Sequence, residues 1–366
     1  MEEKKTRRII LAGGGTGGHI FPAIAIANAL RKLAPGTDIL FVGARGKMEM
    51  EKVPQAGYPV KGLEIAGFNR SSLFRNIGLP FKLIKSFRQV RSILREFRPD
   101  AVVGVGGYSS FPVVRQAQAK NIKTFIHESN SFAGKSNMLL GKRATVIFTA
   151  SDGMEKFFPR EKILVTGNPV RKNIVDATVS RTDAAGYFGL DAGRKTVLAI
   201  GGSLGARSIN EAIAKHIDAF EQNGLQLIWQ TGKTTVDRFR PLQEGRRNIW
   251  IGDFITDMSR AYGAADMIVS RSGSTVYELC VVGKPAILVP YPFAAEDHQT
   301  ANAMNLVRKK AAIMIPDAEA DERLVPAVVE LAANAELQQE LSEHISSLAI
   351  TNADEVIAQT ILKAVN

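Results

Sequence analysis

One cysteine, two tryptophans and five histidines in 366 residues exclude several kinds of chemistry at the outset. A lone thiol, Cys280, cannot build an internal disulfide framework and fits a reducing compartment. It sits among apolar neighbours in a helical pattern, so it reads as a small core residue rather than a nucleophile. The histidines are scattered and show no metal-ligand spacing, so no metal is expected. No apolar run approaches the roughly 18 residues of a membrane span. The start of the chain, with Glu2, Glu3, Lys4, Lys5, Arg7 and Arg8, passes straight into a strand pattern and does not read as a secretory leader. Acids are scarce in the first half. Residues 1–170 hold 27 Lys and Arg against 12 Asp and Glu, whereas 171–366 hold 20 against 24. A basic half on a nearly neutral one points to an anionic partner, nucleic acid or an anionic membrane surface.

What is present is the alternation of an α/β protein. The length favours two or three domains. Arg7–Ala12 reads as a first strand, followed by Gly13-Gly14-Gly15-Thr16-Gly17-Gly18-His19 and a helix over 23–30 with Pro22 in its first turn. Further strands are read at 38–43, 99–105, 124–130 and 162–166. The design then restarts: Lys195–Ile200 is a strand, followed by Gly201-Gly202-Ser203-Leu204-Gly205-Ala206-Arg207 and a helix. Strands follow at 226–230, 248–251, 266–270 and 285–290, and the chain from 321 onward is helical. Each half is therefore a doubly wound parallel sheet, and two such halves create an interdomain cleft at the strands' carboxyl ends. The expected division is 1–166, 167–350 and a C-terminal helix at 351–366 that packs back on the first domain.

The first glycine loop satisfies G-x-G-x-x-G at Gly13, Gly15 and Gly18, which on its own is weak. The second strand ends in Ala44-Arg45 rather than in an acid, so NAD fits poorly and NADP is only conceivable. Any phosphate or diphosphate suits such a loop at a helix start. In the second half, Thr275 and Glu278 have the spacing of a capping box, behind the polar loop Arg271-Ser272-Gly273-Ser274. The bland reading makes Glu278 a cap only. His127, Glu128 and Asn130, at a strand end, face the same crevice as His19.

Arg70 to Arg98 is strongly basic: Arg70, Arg75, Lys82, Lys85, Arg88, Arg91, Arg95 and Arg98 oppose the lone Glu96. Phe87, Val90, Leu94 and Phe97 recur at helical spacing, and Leu73, Phe74, Ile77, Leu79 and Phe81 precede them. Cations interleaved with apolar side chains are what an anionic membrane surface requires. The alternative is a helix packed on a sheet with a solvated basic face.

GGGTGGHIFPAIAIANAL at 13–30, GVGGYSSFP at 104–112, HESN at 127–130, GNPVR at 167–171, GGSLGARSIN at 201–210, SRSGSTVYEL at 270–279 and DHQTANA at 297–303 together resemble the MurG family. These are GT-B glycosyltransferases of peptidoglycan synthesis, and the similarity runs over nearly the whole chain. The resemblance implies an inverting hexosyltransferase that moves N-acetylglucosamine from its UDP donor to the 4-hydroxyl of the muramyl sugar of lipid I (undecaprenyl-pyrophosphoryl-N-acetylmuramyl-pentapeptide), forming lipid II. It implies no cofactor, no nucleic-acid partner, and a peripheral place on the cytoplasmic face of the bacterial inner membrane, met through the 70–98 segment. Carried over, Glu278 would hold the ribose, Ser203 with Ser274 and Thr275 the donor diphosphate, and the Ile255 backbone the uracil edge. Arg171 would contact the nucleotide, Gln299 and Asn130 the sugar, and Thr16, Gly17 and Gly18 the donor's sugar end. Gly14, Gly15, Gly106, Gly107 and Tyr108 are candidates for the acceptor diphosphate. His298 departs from the family pattern and is assigned no role. His19 or Glu128 would take the acceptor's proton; His19 alternatively only positions or caps. A UDP-N-acetylglucosamine 2-epimerase, an NADP-dependent reductase and a non-catalytic nucleotide sensor are the competing readings.

Overall fold

The computed structural model describes residues 6–67, 78–176, 178–202 and 204–365. Ser203 and much of the apolar run ahead of the basic helix (Leu73, Phe74 and Ile77, with Arg70 and Arg75) lie outside the described residues. The chain divides into two compact units, Met1–Arg171 with Thr351–Asn366, and Lys172–Ile350.

In the first unit, β1 (Arg8–Ala12), β2 (Asp38–Ala44), β3 (Val60–Leu63), β4 (Ala101–Gly104), β5 (Lys123–Glu128), β6 (Val146–Thr149) and β7 (Ile163–Val165) form one parallel sheet in the order β3-β2-β1-β4-β5-β6-β7. Alternate residues go to opposite faces, as a pleated strand requires. Ile9 and Leu11 pack with Ile26 and Leu30 of helix Gly17–Leu33 and with Ile357 and Ile361 of helix Ala353–Val365. Ile10 and Ala12 face the other layer, with Val90 and Leu94 of helix Leu79–Phe97 and Val113 of helix Ser110–Ala119. The order reverses between β1 and β4, which pair Ala12 with Gly104, so the loops leaving these two strands open the crevice where such sheets bind ligands.

The second unit repeats the plan with β8 (Thr196–Ile200), β9 (Gln226–Gln230), β10 (Ile249–Gly252), β11 (Met267–Ser270), β12 (Ala286–Leu288) and β13 (Ile313–Met314), ordered β10-β9-β8-β11-β12-β13. Its switch point lies between β8 and β11. Trp229 is fully buried and donates its Nε1–H to Asn210 Oδ1 at 3.0 Å, satisfying a polar atom that burial would otherwise penalise. Cys280 is buried and its thiol is pushed up to about 12 by burial, as suits an inert core residue.

Two local readings are corrected. Helix Gly17–Leu33 starts at Gly17, so Pro22 stands in its second turn and the first turn consists of Gly17, Gly18 and His19. Thr275 is the first helical residue, Ser274 precedes it as N-cap, and no side-chain cap bond forms. Glu278 is therefore not the carboxylate of a capping box; its Oε2 accepts from the Tyr262 hydroxyl at 3.1 Å.

Candidate functional site

The two glycine loops of the first unit interlock. A Cβ on Gly107 would lie 2.3 Å from the Gly14 carbonyl oxygen, and one on Gly13 would lie 2.5 Å from the Gly106 carbonyl oxygen. Gly106 and Gly107 also hold φ of +95° and +79°, which side chains disfavour. Beneath the first loop sits Glu49, 2% exposed, accepting from Gly15 N–H at 2.9 Å and from Ala44 N–H at 2.8 Å. A Cβ on Gly14 would meet that carboxylate at 2.4 Å. Sequence reasoning missed Glu49 because it sought an acid at the end of β2, and this one arrives five residues after Ala44.

This arrangement redistributes the loop's donors. Gly13 N–H goes to Val42 O, Gly14 N–H to Gly106 O and Gly15 N–H to Glu49. Gly14 and Gly15 were expected to offer amides to a diphosphate, but those amides are engaged inside the protein. At the start of helix Gly17–Leu33, His19 and Ile20 N–H both go to Thr16 O, at 3.1 and 3.2 Å, so Gly17 and Gly18 carry the leading amides that could meet an anion. The Tyr108 ring lies 3.8 Å from the Cβ position of Gly15 and roofs the same loop. Burial, aided by the Glu49 charge, raises its phenol above the usual value.

His19 leans on the second loop: a Cβ on Gly106 would lie 2.7 Å from His19 Cδ2 and 2.8 Å from Nε2. Its Nδ1 is 3.3 Å from Thr16 Oγ1. With Nδ1 donating to that hydroxyl, Nε2 is the basic nitrogen. Glu128 is differently placed. It is 3% exposed and takes four hydrogen bonds: Asn130 N–H and Nδ2 on Oε1 at 3.1 and 3.2 Å, Gly134 N–H and Asn137 Nδ2 on Oε2 at 3.0 and 2.8 Å. Burial raises its pKa and these donors oppose the rise. Both oxygens are occupied in folding the 129–137 loop, which argues against Glu128 as the proton acceptor.

His127, beside Glu128, is 1% exposed and neither ring nitrogen has a hydrogen-bond partner among the described residues. Burial pushes its pKa from 6.5 down to about 4; the nearby Gly167 backbone opposes the shift and the charge of His19 adds to it. A folded pKa below the unfolded one means that the fold prefers the neutral ring. The associated stability is complete above pH 6.5 and is lost as pH falls toward 4, amounting to roughly 3 kcal/mol at about 1.4 kcal/mol per unit. Urea unfolding at pH 7 and pH 4.5 should show a steeper loss in wild type than in His127→Asn. Parallel losses would refute this.

In the second unit the polar loops also meet. Ser272 Oγ donates to Gln299 O at 2.8 Å, Asn302 Nδ2 donates to Ser272 O at 3.0 Å, and Gln299 Nε2 lies 3.8 Å from the Cβ position of Gly273. Gln299 Oε1 accepts from Tyr291 N–H at 2.9 Å. Arg271 anchors the loop on Val289 O, Pro290 O and Asp317. Glu296 and Asp297 are consecutive non-glycine residues at φ of 51° and 52°, a strained pair leading into helix His298–Arg308. Ile255 N–H is engaged by Gln230 Oε1 at 2.9 Å, so of that residue's backbone only the carbonyl is left to face a base edge. Arg171, in the first unit, places its guanidinium 5.7 Å from the Phe21 ring centroid.

The basic helix Leu79–Phe97 buries Val90, Ile93 and Leu94 and leaves Phe81 75% and Ile84 52% exposed. Lys85 pairs with Glu64 at 2.6 Å and holds that carboxyl below its usual range, and Lys61 pairs with Glu96 at 2.7 Å. Lys82, Arg88, Arg91 and Arg95 are exposed. Among the described residues no helix is long and apolar enough to cross a membrane.

Two family descriptions match the chain: the glycosyltransferase family 28 N-terminal domain over residues 9–149 and the glycosyltransferase family 28 C-terminal domain over residues 196–361. A Phocaeicola vulgatus protein named UDP-N-acetylglucosamine–N-acetylmuramyl-(pentapeptide) pyrophosphoryl-undecaprenol N-acetylglucosamine transferase is 49% identical over 367 residues, covering 99% of this chain and 97% of that one. A Cytophaga hutchinsonii protein of the same name is 47% identical, covering 100% and 99%. The crystal structure of Acinetobacter baumannii MurG superposes with a TM-score of 0.78 and 29% identity, covering 98% of this chain and 99% of that one. A UDP-N-acetylglucosamine 2-epimerase superposes with a TM-score of 0.69 at 14% identity over 99% and 96%, a likeness of fold alone.

Proposed function

The chain belongs to the MurG family of glycosyltransferases, with the GT-B fold, and from that premise we infer that it transfers N-acetylglucosamine from UDP-N-acetylglucosamine to undecaprenyl-pyrophosphoryl-N-acetylmuramyl-pentapeptide (lipid I), giving lipid II. The observation that carries this is the end-to-end match at 49% identity to a transferase of that name. The chemistry follows from the residues. One displacement that inverts the anomeric carbon needs a base on the acceptor 4-hydroxyl and charge stabilisation on departing UDP. His19 Nε2 would take the hydroxyl proton, in the tautomer in which Nδ1 donates to Thr16 Oγ1. Gly17 and Gly18 amides, with the Gly106–Tyr108 loop, would hold the acceptor diphosphate.

On the donor side, Glu278 would accept from the ribose hydroxyls, steadied by Tyr262. The helix start at Ser274 and Thr275 would face the UDP diphosphate, where backbone dipoles oppose its growing charge; Ser203, which the family resemblance adds, lies outside the described residues. Gln299, whose Oε1 is already engaged, would donate through Nε2 to the sugar. Transfer of radiolabelled sugar from UDP-N-acetylglucosamine to a short-chain lipid I analogue tests the reading. Disaccharide product is expected. Donor converted to an epimer, or left intact, would overturn it.

The basic helix would bring the enzyme to the anionic inner surface of the bacterial plasma membrane, where its acceptor resides. Exposed Phe81 and Ile84 beside Lys82, Arg88 and Arg91 support this. Each cation near such a surface contributes about 1 kcal/mol, so reversing Lys82, Arg88 and Arg91 to Glu should weaken sedimentation with anionic vesicles by at least ~100-fold. UDP affinity should not change. Vesicle binding that survives the triple reversal would refute the assignment.

A further inference from the structure

The carboxyl end of β9 carries a residue that no part of the reaction above uses. Gln230 is 4% exposed and stands in register with Ile200 on β8 and Gly252 on β10, the last residues of the two flanking strands. Its side-chain amide reaches both ways. Nε2–H donates to Gly202 O at 2.9 Å, in the glycine loop that leaves β8, and Oε1 accepts from Ile255 N–H at 2.9 Å, in the loop that leaves β10. The Gly202 carbonyl also receives Gly205 N–H at 3.0 Å, which closes a tight turn. That turn is wedged against the next backbone segment: a Cβ on Gly205 would lie 1.9 Å from Thr231 O, and one on Gly232 would lie 2.1 Å from Gly205 N. Thr231 N–H in turn bonds Gly252 O at 2.9 Å. One buried amide therefore ties together the ends of three neighbouring strands.

We propose that Gln230 is a positioning residue for donor selection, setting the geometry of the diphosphate loop and of the base-reading loop at once. This rests on the donor assignments made above. A trans peptide directs its N–H and C=O oppositely, so holding Ile255 N–H toward Gln230 turns the Phe254 carbonyl away from it and constrains the Ile255 carbonyl that follows. With the amide engaged inward, that loop presents acceptors to a base edge. An acceptor there matches uracil, which carries a hydrogen on N3, and mismatches cytosine, whose N3 is a bare lone pair. Gln230 thus favours uridine nucleotides without touching them. Through its other arm it fixes the Gly202 carbonyl at the head of the loop assigned to the diphosphate.

The two arms separate by mutation. Gln230→Met keeps the length of the side chain and removes both hydrogen bonds. Gln230→Glu keeps the acceptor for Ile255 N–H, removes the donor to Gly202 O and adds negative charge beside the diphosphate loop. Titration calorimetry of the full-length protein with UDP, CDP and uridine, alongside donor kinetics, reads both effects. For Gln230→Met the preference for UDP over CDP should shrink by about tenfold, with the donor KM raised by a similar factor and kcat within about threefold. For Gln230→Glu the UDP-over-CDP ratio should persist, while UDP affinity falls and uridine affinity does not. A ratio of affinities does not depend on the fraction of protein folded, so a destabilised variant still reports. A Gln230→Met protein with the wild-type ratio would overturn the inference. Wild type that itself shows no preference for UDP would instead overturn the donor reading on which it rests.

Discussion

His19→Ala is expected to lower kcat by about 10²- to 10⁴-fold, the usual contribution of a positioned general base, while leaving the UDP Kd within about twofold. The expectation comes from placement. His19 is in the first turn of helix Gly17–Leu33, its ring lies against Gly106, and its Nδ1 is 3.3 Å from Thr16 Oγ1, so that in the tautomer that donates from Nδ1 the basic nitrogen is Nε2. Glu128 is the control that separates this reading from its rival. Its carboxylate holds the 129–137 loop through four hydrogen bonds, so Glu128→Gln should act through that loop, lowering thermal stability along with rate. The pH profile of kcat/KM decides between them. If His19→Ala retains the acid limb of the wild-type profile and turns over at a similar rate, His19 is not the base.

Glu49→Ala is expected to destabilise the first unit by about 3 kcal/mol, because two buried backbone donors, Gly15 N–H and Ala44 N–H, lose a charged acceptor, and such bonds contribute about 1.5–3 kcal/mol each before water partly replaces them. The loop it supports cannot compensate by tightening, since Gly14 already sits against the carboxylate and Gly107 against Gly14. KM for the lipid acceptor should therefore rise as well, with the donor KM little altered. Glu49→Gln preserves the shape but turns an NH2 group toward one of the two N–H donors, and its stability should fall between the other two. Urea unfolding gives the energies. An alanine variant within about 0.5 kcal/mol of wild type would show that the clamp is incidental.

The strands that the sequence displayed openly are mostly runs of Val, Ile and Leu: β1, β2, β4, β5, β7, β8, β9, β10, β11 and β12 were legible to within about two residues at their ends. β3, β6 and β13 were not read. β3 is Val-Lys-Gly-Leu and β13 is two residues long, so neither carries enough apolar repetition to stand out from loop. The start of helix Gly17–Leu33 was placed too late because Pro22 resembled a first-turn proline and the glycines resembled loop. The spacing of Thr275 and Glu278 imitated a capping box, whereas the carboxylate bonds a tyrosine 16 residues away in sequence. Local patterns mislead in this way when a partner from elsewhere in the chain offers the better hydrogen bond.

By itself, the sequence determined the two doubly wound halves, the glycine loops behind β1 and β8, the basic apolar helix and the family, because each is written in short-range periodicity or in contiguous motifs. Only the tertiary structure decided which donors and acceptors remain for ligands. Glu49 reaches Gly15 across 34 residues, and Gln230 reaches Gly202 and Ile255 across 28 and 25. Those meetings depend on parallel strand register and on crossover helices that bring distant strand ends side by side, and no local pattern records them. The same cause engages the Gly14, Gly15 and Ile255 amides inside the protein and ties both Glu128 oxygens to the 129–137 loop.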